Sequence, residues 1–349
     1  MRVIWLSSKD LSNSLSSTTV IELANGLVRK GHEVIVYSPG KPKDALFMHN
    51  EVKRSNRRGF QSRSIVKNLK KRSSEFSMAE VVLIDWPIFK LANYITAPVI
   101  LMDRSPPADP GILAKLQWPI WFNSWRRAKR GTAVSDKHVE AIMSFVEPNP
   151  ITAEIEVIQA GVDLEKFKPS SKDGPLKLAY IGRVDVNRGV MSLAMIMNGL
   201  KQVGVDATLH IHGTGDAIPK LSNIGLEGVE ITDSLSQEEL AKRMSNYDIG
   251  FLPMPEMMVW SMASPLKRSE YIASGMALCG IDHDGHRQEG TEEFSQYFRE
   301  EDFISHAVNW LRKLTREELS VMQKKAREFA ENNLSWDHSV AVLDSMIRE

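Results

Sequence analysis

"SPLKRSEYIASGMALCGID", residues 264–282, predicts a short helix followed directly by a buried strand. Pro265 suits the first turn of a helix, where its missing N–H leaves no donor unsatisfied. Lys267 and Glu270 are three residues apart, so they share one helical face. The last six residues, ALCGID, form an apolar run typical of a strand buried in a parallel sheet. A helix that leads into such a strand is the building step of an α/β fold.

The same alternation of apolar runs and helical segments extends through most of the chain. The runs that predict strands are 2–7, 33–38, 81–85, 99–103 and 132–135 in the first half, and 177–182, 208–213, 229–232, 249–254 and 277–282 in the second. A polar segment with Pro, Ser and Gly, residues 161–175, separates the halves as a linker. We predict an α/β protein with two Rossmann-like domains that face each other across a cleft, with ligands at the carboxyl ends of the strands.

The last part of the chain has helical periodicity. The predicted helices cover residues 292–298, 301–314, 316–333 and 335–349.

Composition excludes several classes of protein. The 349 residues contain 44 Lys and Arg and 44 Asp and Glu, so no overall charge favours nucleic acid as a partner. The single cysteine, Cys279, allows neither an internal disulfide nor a cysteine metal cluster. The N-terminus turns polar after six residues and no long apolar run follows, which predicts a cytoplasmic protein.

Two arginines follow a predicted strand in "YIGRVDVNRGVMSLAMIM", residues 180–197. Arg183 comes directly after Gly182, and Arg188 precedes Gly189 at the start of a helix. Cations beside a helix N-terminus suit an anion such as a diphosphate. The alternative is a pair of solvated loop arginines.

The opening stretch predicts a second part of the same site. Lys267 lies near a helix N-terminus, where the helix dipole disfavours a cation unless an anion lies nearby. Glu270 only accepts hydrogen bonds when ionised, so it suits the vicinal hydroxyls of a ribose. The alternative is a surface ion pair between these two residues.

Taken together, these stretches resemble retaining glycosyltransferases of family 4, which have the GT-B fold. "YIGRVDVNRGV" resembles the family's Gly-Arg and Lys-Gly element, and "SPLKRSEYIASG" its nucleotide-binding helix. Further matching stretches occur in the family's order: "LANGLVRKGHEVIVYSPG", "AVSDKH", "VIQAGVDLEKFKP" and "LSWDHSV".

The resemblance implies a transferase that moves a hexose from a nucleoside diphosphate sugar to a hydroxyl acceptor with retention. Arg183 and Arg188, the latter where lysine is usual, would bind the donor diphosphate and stabilise its developing charge. Lys267 would assist, Glu270 would bind the ribose, and no metal or other cofactor is implied. The implied domains are 1–165 for the acceptor, 166–332 for the donor, and a terminal helix, 333–349, that crosses back to the first domain.

The sequence also departs from the family pattern. Met262 stands eight residues before Glu270, where the family often has a glutamate, and Glu256 lies too far away to replace it. The first loop, "SSKDLSNSLSSTT", lacks the usual paired glycines, so Ser14 is the candidate phosphate ligand there. Asp103 follows a strand where the family often has histidine, and is either a catalytic acceptor of a hydroxyl proton or a cap of the strand end.

Other functions stay open on weaker signals. A GT-B protein that binds a nucleotide or partner without turnover is the main alternative, because Met262 and the glycine-poor loop permit it. A dinucleotide oxidoreductase would need a G-x-G-x-x-G loop after the first strand. "DHD", residues 282–284, matches a three-residue metal pattern common by chance, and His210 with His212 predicts a buried pair more than a metal site.

Two features of the first half concern the acceptor. Residues 52–74 contain nine Lys or Arg and no acid, which favours an anionic membrane surface and a lipid-linked or glycan acceptor. The following aromatic residues share one helical face: Trp118, Trp121, Phe122 and Trp125. That face either lies at a membrane interface or packs on the sheet.

Overall fold

The computed structural model describes residues 1–12, 14–57, 59–107, 112–144, 152–170 and 174–349, without the side chains of 14–16 and 112–114. Its contacts divide the chain into two units: residues 1–159 with 336–349, and residues 160–335. The domain boundaries predicted from the sequence were after residues 165 and 332, whereas the structure divides the chain after residues 159 and 335. Residues 160–165 lie with the second unit because the Val162 amide donates to the Leu334 carbonyl, at 2.8 Å, and Ser269 Oγ donates to the Ala160 carbonyl, at 2.9 Å.

Unit 1 contains a parallel sheet of seven described strands in the order β3-β2-β1-β4-β5-β6-β7. The strands are β1 Arg2–Leu6, β2 Glu33–Ser38, β3 Met48–Glu51, β4 Val81–Asp85, β5 Val99–Met102, β6 Arg130–Ala133 and β7 Glu154–Val157. The central strands are buried on both faces, which explains their continuous apolar runs.

Helices cover the two faces of this sheet. They are α1 Ser14–Arg29, α2 Gln61–Lys70, α3 Ser73–Phe76, α4 Ile112–Arg127, α5 Asp136–Ser144 and, from the end of the chain, α13 Trp336–Arg348. A 3₁₀ segment, Trp86–Tyr94, packs against both α2 and α4. The apolar core on that side combines Ile65 and Leu69 of α2 with Trp121 and Trp125 of α4.

Unit 2 repeats the arrangement with six described parallel strands in the order β10-β9-β8-β11-β12-β13. The strands are β8 Leu176–Ile181, β9 Ala207–His212, β10 Val229–Thr232, β11 Ile249–Leu252, β12 Ala277–Ile281 and β13 Ser295–Phe298. The helices are α6 Met191–Gln202, α7 Ile218–Ile224, α8 Gln237–Met244, α9 Met258–Ser261, α10 Leu266–Ala273, α11 Phe303–Lys313 and α12 Arg316–Asn333. Both sheets have the Rossmann strand order, which confirms the predicted α/β class.

Sequence signals account for the ends of several of these helices. Ser236 and Glu239 form a capping box at α8, and Thr315 and Glu318 form one at α12. Gly225 ends α7 in the left-handed conformation.

Three strands differ from the sequence prediction. Residues 292–298 were predicted as a helix, but Ser295–Phe298 forms β13, because the open edge of β12 supplies backbone partners from Leu278 to Ile281. β3 and β7 were not predicted, since edge strands of four polar or mixed residues carry little apolar signal.

The terminal helix α13 packs on α1 within unit 1. Gly26 of α1 permits this contact, because a Cβ at that position would lie 2.1 Å from Val340 Cγ2. His32 Nε2 and Asp344 Oδ1 are 2.6 Å apart at the other end of the contact. The last helix therefore belongs to the same unit as the first 159 residues.

Candidate functional site

The predicted donor residues of unit 2 lie at the carboxyl edge of its sheet. Strand order reverses between β8 and β11, and ligands of open α/β sheets bind at such a switch point. Gly182 and Arg183 directly follow β8, and Pro253 and Met254 follow β11. Chain topology therefore brings the two predicted motifs to one edge.

Two glycines let the turns at this edge approach closely. Gly182 has a φ of 121°, and a Cβ there would lie 3.1 Å from Lys267 Nζ. Gly189 has a φ of 70°, and a Cβ there would lie 2.0 Å from the Pro253 carbonyl oxygen. A side chain at either position would strain the backbone and separate the groups of the site.

Lys267 provides an enclosed ammonium group. Its Nζ is buried, has no hydrogen-bond acceptor within the described chain, and lies 4.2 Å from the centroid of the Tyr180 ring. Burial lowers the pKa of Lys267 to about 7, with a further contribution from Arg188. A desolvated cation without an acceptor is costly, so this position favours an incoming anion.

Glu270 lies one turn further along α10 and is buried. Its carboxylate forms no hydrogen bond or ion pair with any residue that the structure describes. Burial raises the pKa of Glu270 to about 7, and the cations Lys267 and Lys166 oppose that shift. The surface ion pair considered from the sequence is absent from the described residues, and the carboxylate is available as an acceptor.

Arg183 and Arg188 converge on one carboxylate, that of Asp185. Arg183 donates from Nε and Nη2 to the two Asp185 oxygens, each at 3.0 Å, and its side chain is 57% exposed. Arg188 Nε lies 3.9 Å from Asp185, and its side chain is 23% exposed. The guanidinium of Arg188 also stacks on the Trp260 ring, 4.5 Å from the centroid. These two arginines and Lys267 therefore form a cationic cluster.

Arg268 is a buried residue of the site region whose structural role the sequence analysis did not predict. It is buried and donates from Nη1 to three carbonyls of the loop after β12, those of Gly285 at 3.1 Å, His286 at 3.3 Å and Arg287 at 2.9 Å. These bonds determine the course of that loop. In the sequence Arg268 is only a second cation next to Lys267. Adjacent side chains of a helix point in different directions, so the role of Lys267 did not indicate a role for Arg268.

Two buried histidines of the same loop were also missed. The ring centroids of His283 and His286 are 3.7 Å apart. His283 Nε2 donates to the Met254 carbonyl, at 3.1 Å, and His286 Nδ1 donates to the Ile281 carbonyl, at 2.7 Å. Burial lowers the pKa of both imidazoles, which favours their neutral forms, and their hydrogen bonds connect this loop to the ends of β11 and β12.

Asp103 of unit 1 does not fit its predicted catalytic role. It has no exposed surface. Its Oδ2 accepts from the indole N–H groups of Trp121, at 2.6 Å, and Trp125, at 2.8 Å, while Oδ1 accepts from the Ser105 amide, at 3.1 Å. His138 Nε2 lies 3.4 Å from Oδ2. The carboxylate anchors α4 to the end of β5, as a structural group at the strand end.

The same contacts decide between the two interpretations of the aromatic face on α4. Trp121 and Trp125 are fully buried, and Trp118 and Phe122 pack against the same core. The face therefore packs on the sheet and is not a membrane interface.

The first loop of unit 1 is held by side chains. Asp85, at the end of β4, accepts from Ser7 Oγ, at 2.7 Å, and from the Ser8 amide, at 2.8 Å. Asp10 accepts from the Ser12 amide and pairs with Arg54, at 2.9 Å. Ser14 begins α1, but its side chain lies outside the described residues.

The weaker metal signals have partners within the protein. Asp282 of the "DHD" stretch pairs with Arg287. His212 is hydrogen-bonded to Thr232 and to Tyr247, at 2.6 Å each, and His210 to Glu230, at 3.0 Å. Among the described residues there is no group of three or more His, Cys, Asp and Glu that could hold a metal ion.

Residues 16–166 match the family model described as Glycosyltransferase Family 4. No curated protein sequence gives a significant match to the chain. Solved structures are similar over the whole chain. Sucrose-phosphate synthase from Thermosynechococcus elongatus has a TM-score of 0.82 and 13% identity, covering 100% of this chain and 98% of that chain.

Two further structures have the same fold. WaaG, a glycosyltransferase involved in lipopolysaccharide biosynthesis, has a TM-score of 0.74 and 13% identity, covering 98% of this chain and 99% of that chain. HepE of Anabaena, in complex with UDP and glucose, has a TM-score of 0.74 and 12% identity, covering 100% of this chain and 99% of that chain.

The strand order of both sheets and these similarities show that the chain has the GT-B fold. The predicted resemblance to glycosyltransferase family 4 is confirmed, with the family model covering residues 16–166.

Proposed function

We propose that the protein transfers a hexose from a nucleoside diphosphate sugar to a hydroxyl acceptor with retention. The observation that carries the proposal is the enclosed Lys267 ammonium without an acceptor, one helical turn from the free Glu270 carboxylate. A diphosphate and a ribose of one donor molecule would satisfy both groups. The HepE structures with UDP and with UDP-glucose support UDP as the first nucleotide to test.

In this mechanism Lys267, Arg183 and Arg188 bind the diphosphate and stabilise the negative charge that develops as the sugar leaves. Glu270 accepts from the ribose hydroxyls and orients the donor. Three cations neutralise the leaving group, so we propose that no divalent metal is needed. No covalent bond between sugar and protein is part of the proposal.

Donor binding is the first test. Isothermal titration with UDP, GDP, ADP and their sugar conjugates should identify one base. We expect Glu270→Ala and Lys267→Ala to weaken binding by about 1–3 kcal/mol each without unfolding the protein. Glu317→Ala and Lys220→Ala alter exposed residues of the same unit and serve as matched controls. Donor affinity unchanged in both site variants would exclude this site.

Turnover is the second test. With the bound donor and a panel of sugar acceptors, release of nucleoside diphosphate should continue in excess EDTA, and NMR should show the donor's anomeric configuration in the product. Loss of activity in EDTA with recovery in manganese would refute the metal-free mechanism. An inverted product would refute retention.

A second candidate function rests on Met262. The family's first glutamate is replaced here by a buried thioether, which cannot accept from sugar hydroxyls as a carboxylate does. A nucleotide-binding GT-B protein without turnover is consistent with that change. It predicts donor binding in the titration and no release of nucleoside diphosphate over hours.

We also propose a lipid-linked acceptor reached at an anionic membrane surface, with a glycan acceptor as the soluble alternative. The support comes from the outer face of α4, where Leu116 is 63% and Ile120 is 46% exposed beside the exposed cations Arg126 and Arg127. Exposed cations also line the neighbouring helix α2: Arg63, Lys67 and Lys70. No described helix is long and apolar enough to cross a membrane.

Co-sedimentation with liposomes tests this surface. Binding should require anionic lipid and fall with salt, because surface attraction is screened within about 10 Å at 0.1 M salt. Leu116→Ser with Ile120→Ser, or Arg126→Gln with Arg127→Gln, should abolish it, while Lys220→Gln with Lys242→Gln in unit 2 should not. Equal recovery in the supernatant under all conditions would leave a soluble acceptor.

A further inference from the structure

Arg188 is held more firmly than Arg183. The structure gives the exposed Arg183 side chain one partner, the Asp185 carboxylate. Arg188 has contacts on three sides: the Trp260 ring at 4.5 Å, the Asp185 carboxylate at 3.9 Å and Met254 Sδ at 3.9 Å from Nη1. A cation restrained in this way loses less conformational freedom when it binds a ligand.

The position of Trp260 is itself determined by packing. Trp260 is buried, and a Cβ at Gly285 would lie 1.9 Å from the Trp260 carbonyl oxygen. The loop that Arg268 holds therefore lies directly against the backbone of Trp260. Its indole N–H is enclosed and has no acceptor within the described chain, and the side chain contacts Arg188 through its ring face.

Stacking suits a guanidinium in a way that it does not suit an ammonium. A guanidinium that stacks on an aromatic face keeps its N–H edge free for two parallel bonds to a phosphate. Lysine, which is usual at the position of Arg188 in the resembled family, presents a point charge without such an edge. The planar guanidinium of Arg188 therefore suits the flat face of the Trp260 ring better than an ammonium would.

We propose that Trp260 is a positioning residue, which fixes the plane of the Arg188 guanidinium so that N–H groups in that plane can donate to the donor diphosphate. The inference rests on the proposed function of this site and adds a residue outside the resembled family's motifs. It predicts that the indole face affects recognition of the diphosphate and leaves recognition of the nucleoside unchanged.

The test is isothermal titration of the full chain with pyrophosphate, UDP and uridine. Trp260→Leu should weaken pyrophosphate and UDP by about tenfold, the scale of a desolvated cation–π contact, and leave uridine unchanged. Trp260→Phe keeps an aromatic face while it loses the unpartnered N–H and part of the ring area, so it should retain most of the wild-type affinity. Trp310→Leu, a change of another tryptophan in unit 2, is the control.

Substitutions of Arg188 keep the inference falsifiable if Trp260→Leu does not fold. Arg188→Lys should lose nearly as much pyrophosphate affinity as Arg188→Gln, because an ammonium over the ring has no planar pair of N–H donors for the phosphate. In the Trp260→Leu background, where that variant folds, Arg188→Lys should add little further loss. Wild-type affinity in Trp260→Leu or Arg188→Lys, or an equal loss of uridine binding, would overturn the inference. Failure of the wild-type chain to bind pyrophosphate, UDP, GDP and ADP would instead overturn the proposed function.

Discussion

Glu270 is a buried carboxylate whose ionisation lowers the free energy of unfolding. Its pKa is raised from 4.5 to about 7, so the folded state prefers the protonated form. Stability is therefore unaffected below pH 4.5, is lost as pH rises from 4.5 to 7, and stays constant above 7. We expect Glu270→Gln to unfold in urea like the wild type at pH 4.5, and to be more stable by about 3 kcal/mol at pH 8. Lower stability of the variant at pH 8 would contradict this assignment.

Glu270 and Lys267 together predict the pH dependence of donor binding. Both pKa values lie at about 7. Below pH 7 Glu270 is protonated and accepts ribose hydroxyls less well, and above pH 7 Lys267 is neutral and attracts the diphosphate less. The affinity for UDP-glucose should therefore peak near pH 7 in titrations from pH 5.5 to 8.5. Glu270→Gln should remove the acid limb only; a pH profile identical to that of the wild type would refute the assignment.

Arg268 predicts a loss of stability without a change of charge. Its Nη1 donates to three carbonyls, and the nitrogen of a lysine, on a side chain one bond shorter, would not reach the same position. We expect Arg268→Lys to destabilise unit 2 by about 2 kcal/mol in urea unfolding. Arg312→Lys, an exposed change on α11, should have no measurable effect. Equal unfolding midpoints for the two variants would show that the loop contacts are dispensable.

At the scale of elements, Asp103 connects β5 to α4 through two indoles. Asp103→Asn keeps the shape of the side chain but replaces charge-assisted bonds with neutral ones, and one amide nitrogen then faces donors. We expect unit 1 to lose about 2 kcal/mol of stability, while donor affinity in unit 2 is unchanged. Asp136→Asn, an exposed change at the start of α5, is the control. Wild-type stability with loss of turnover would restore the catalytic role predicted from the sequence.

At the scale of the whole chain, unit 1 needs residues from both ends of the sequence. Gly26→Ala places a methyl group in the volume that Val340 occupies, so α13 must shift. We expect Gly26→Ala to destabilise unit 1 by about 1–3 kcal/mol. Adding Val340→Ala should restore part of that loss, because the second change frees the volume that the first one fills.

Thermal unfolding that resolves the two units would check this coupling. The transition of unit 1 should move to lower temperature in Gly26→Ala and partly return in the double variant, while the transition of unit 2 stays in place. Additive losses in the double variant would show that Gly26 and Val340 do not share one contact.

The residues of the candidate site that the sequence could group together are those whose signals are local. Gly182, Arg183 and Arg188 lie within one strand-to-helix turn, and Lys267 and Glu270 lie within one turn of α10. Trp260 and Arg268 could not be assigned in this way, since their partners are 72 residues away, at Arg188, and 17 to 19 residues away, at 285–287. Distant contacts of this kind leave no periodic pattern.

The sequence by itself determined the α/β class, the repeated Rossmann pattern and the placement of the candidate cations Arg183 and Arg188 after a strand. Strands that are buried on both faces appear as continuous apolar runs in the sequence. The periods of helices and strands also predict which nearby residues share a face. Only the tertiary structure decided that Asp103 anchors α4, that 295–298 is a strand and that α13 completes unit 1. Those outcomes depend on contacts with a sheet edge, a core or a helix that is distant in the sequence. The local order of residues does not reveal which of these lies nearby in the folded chain.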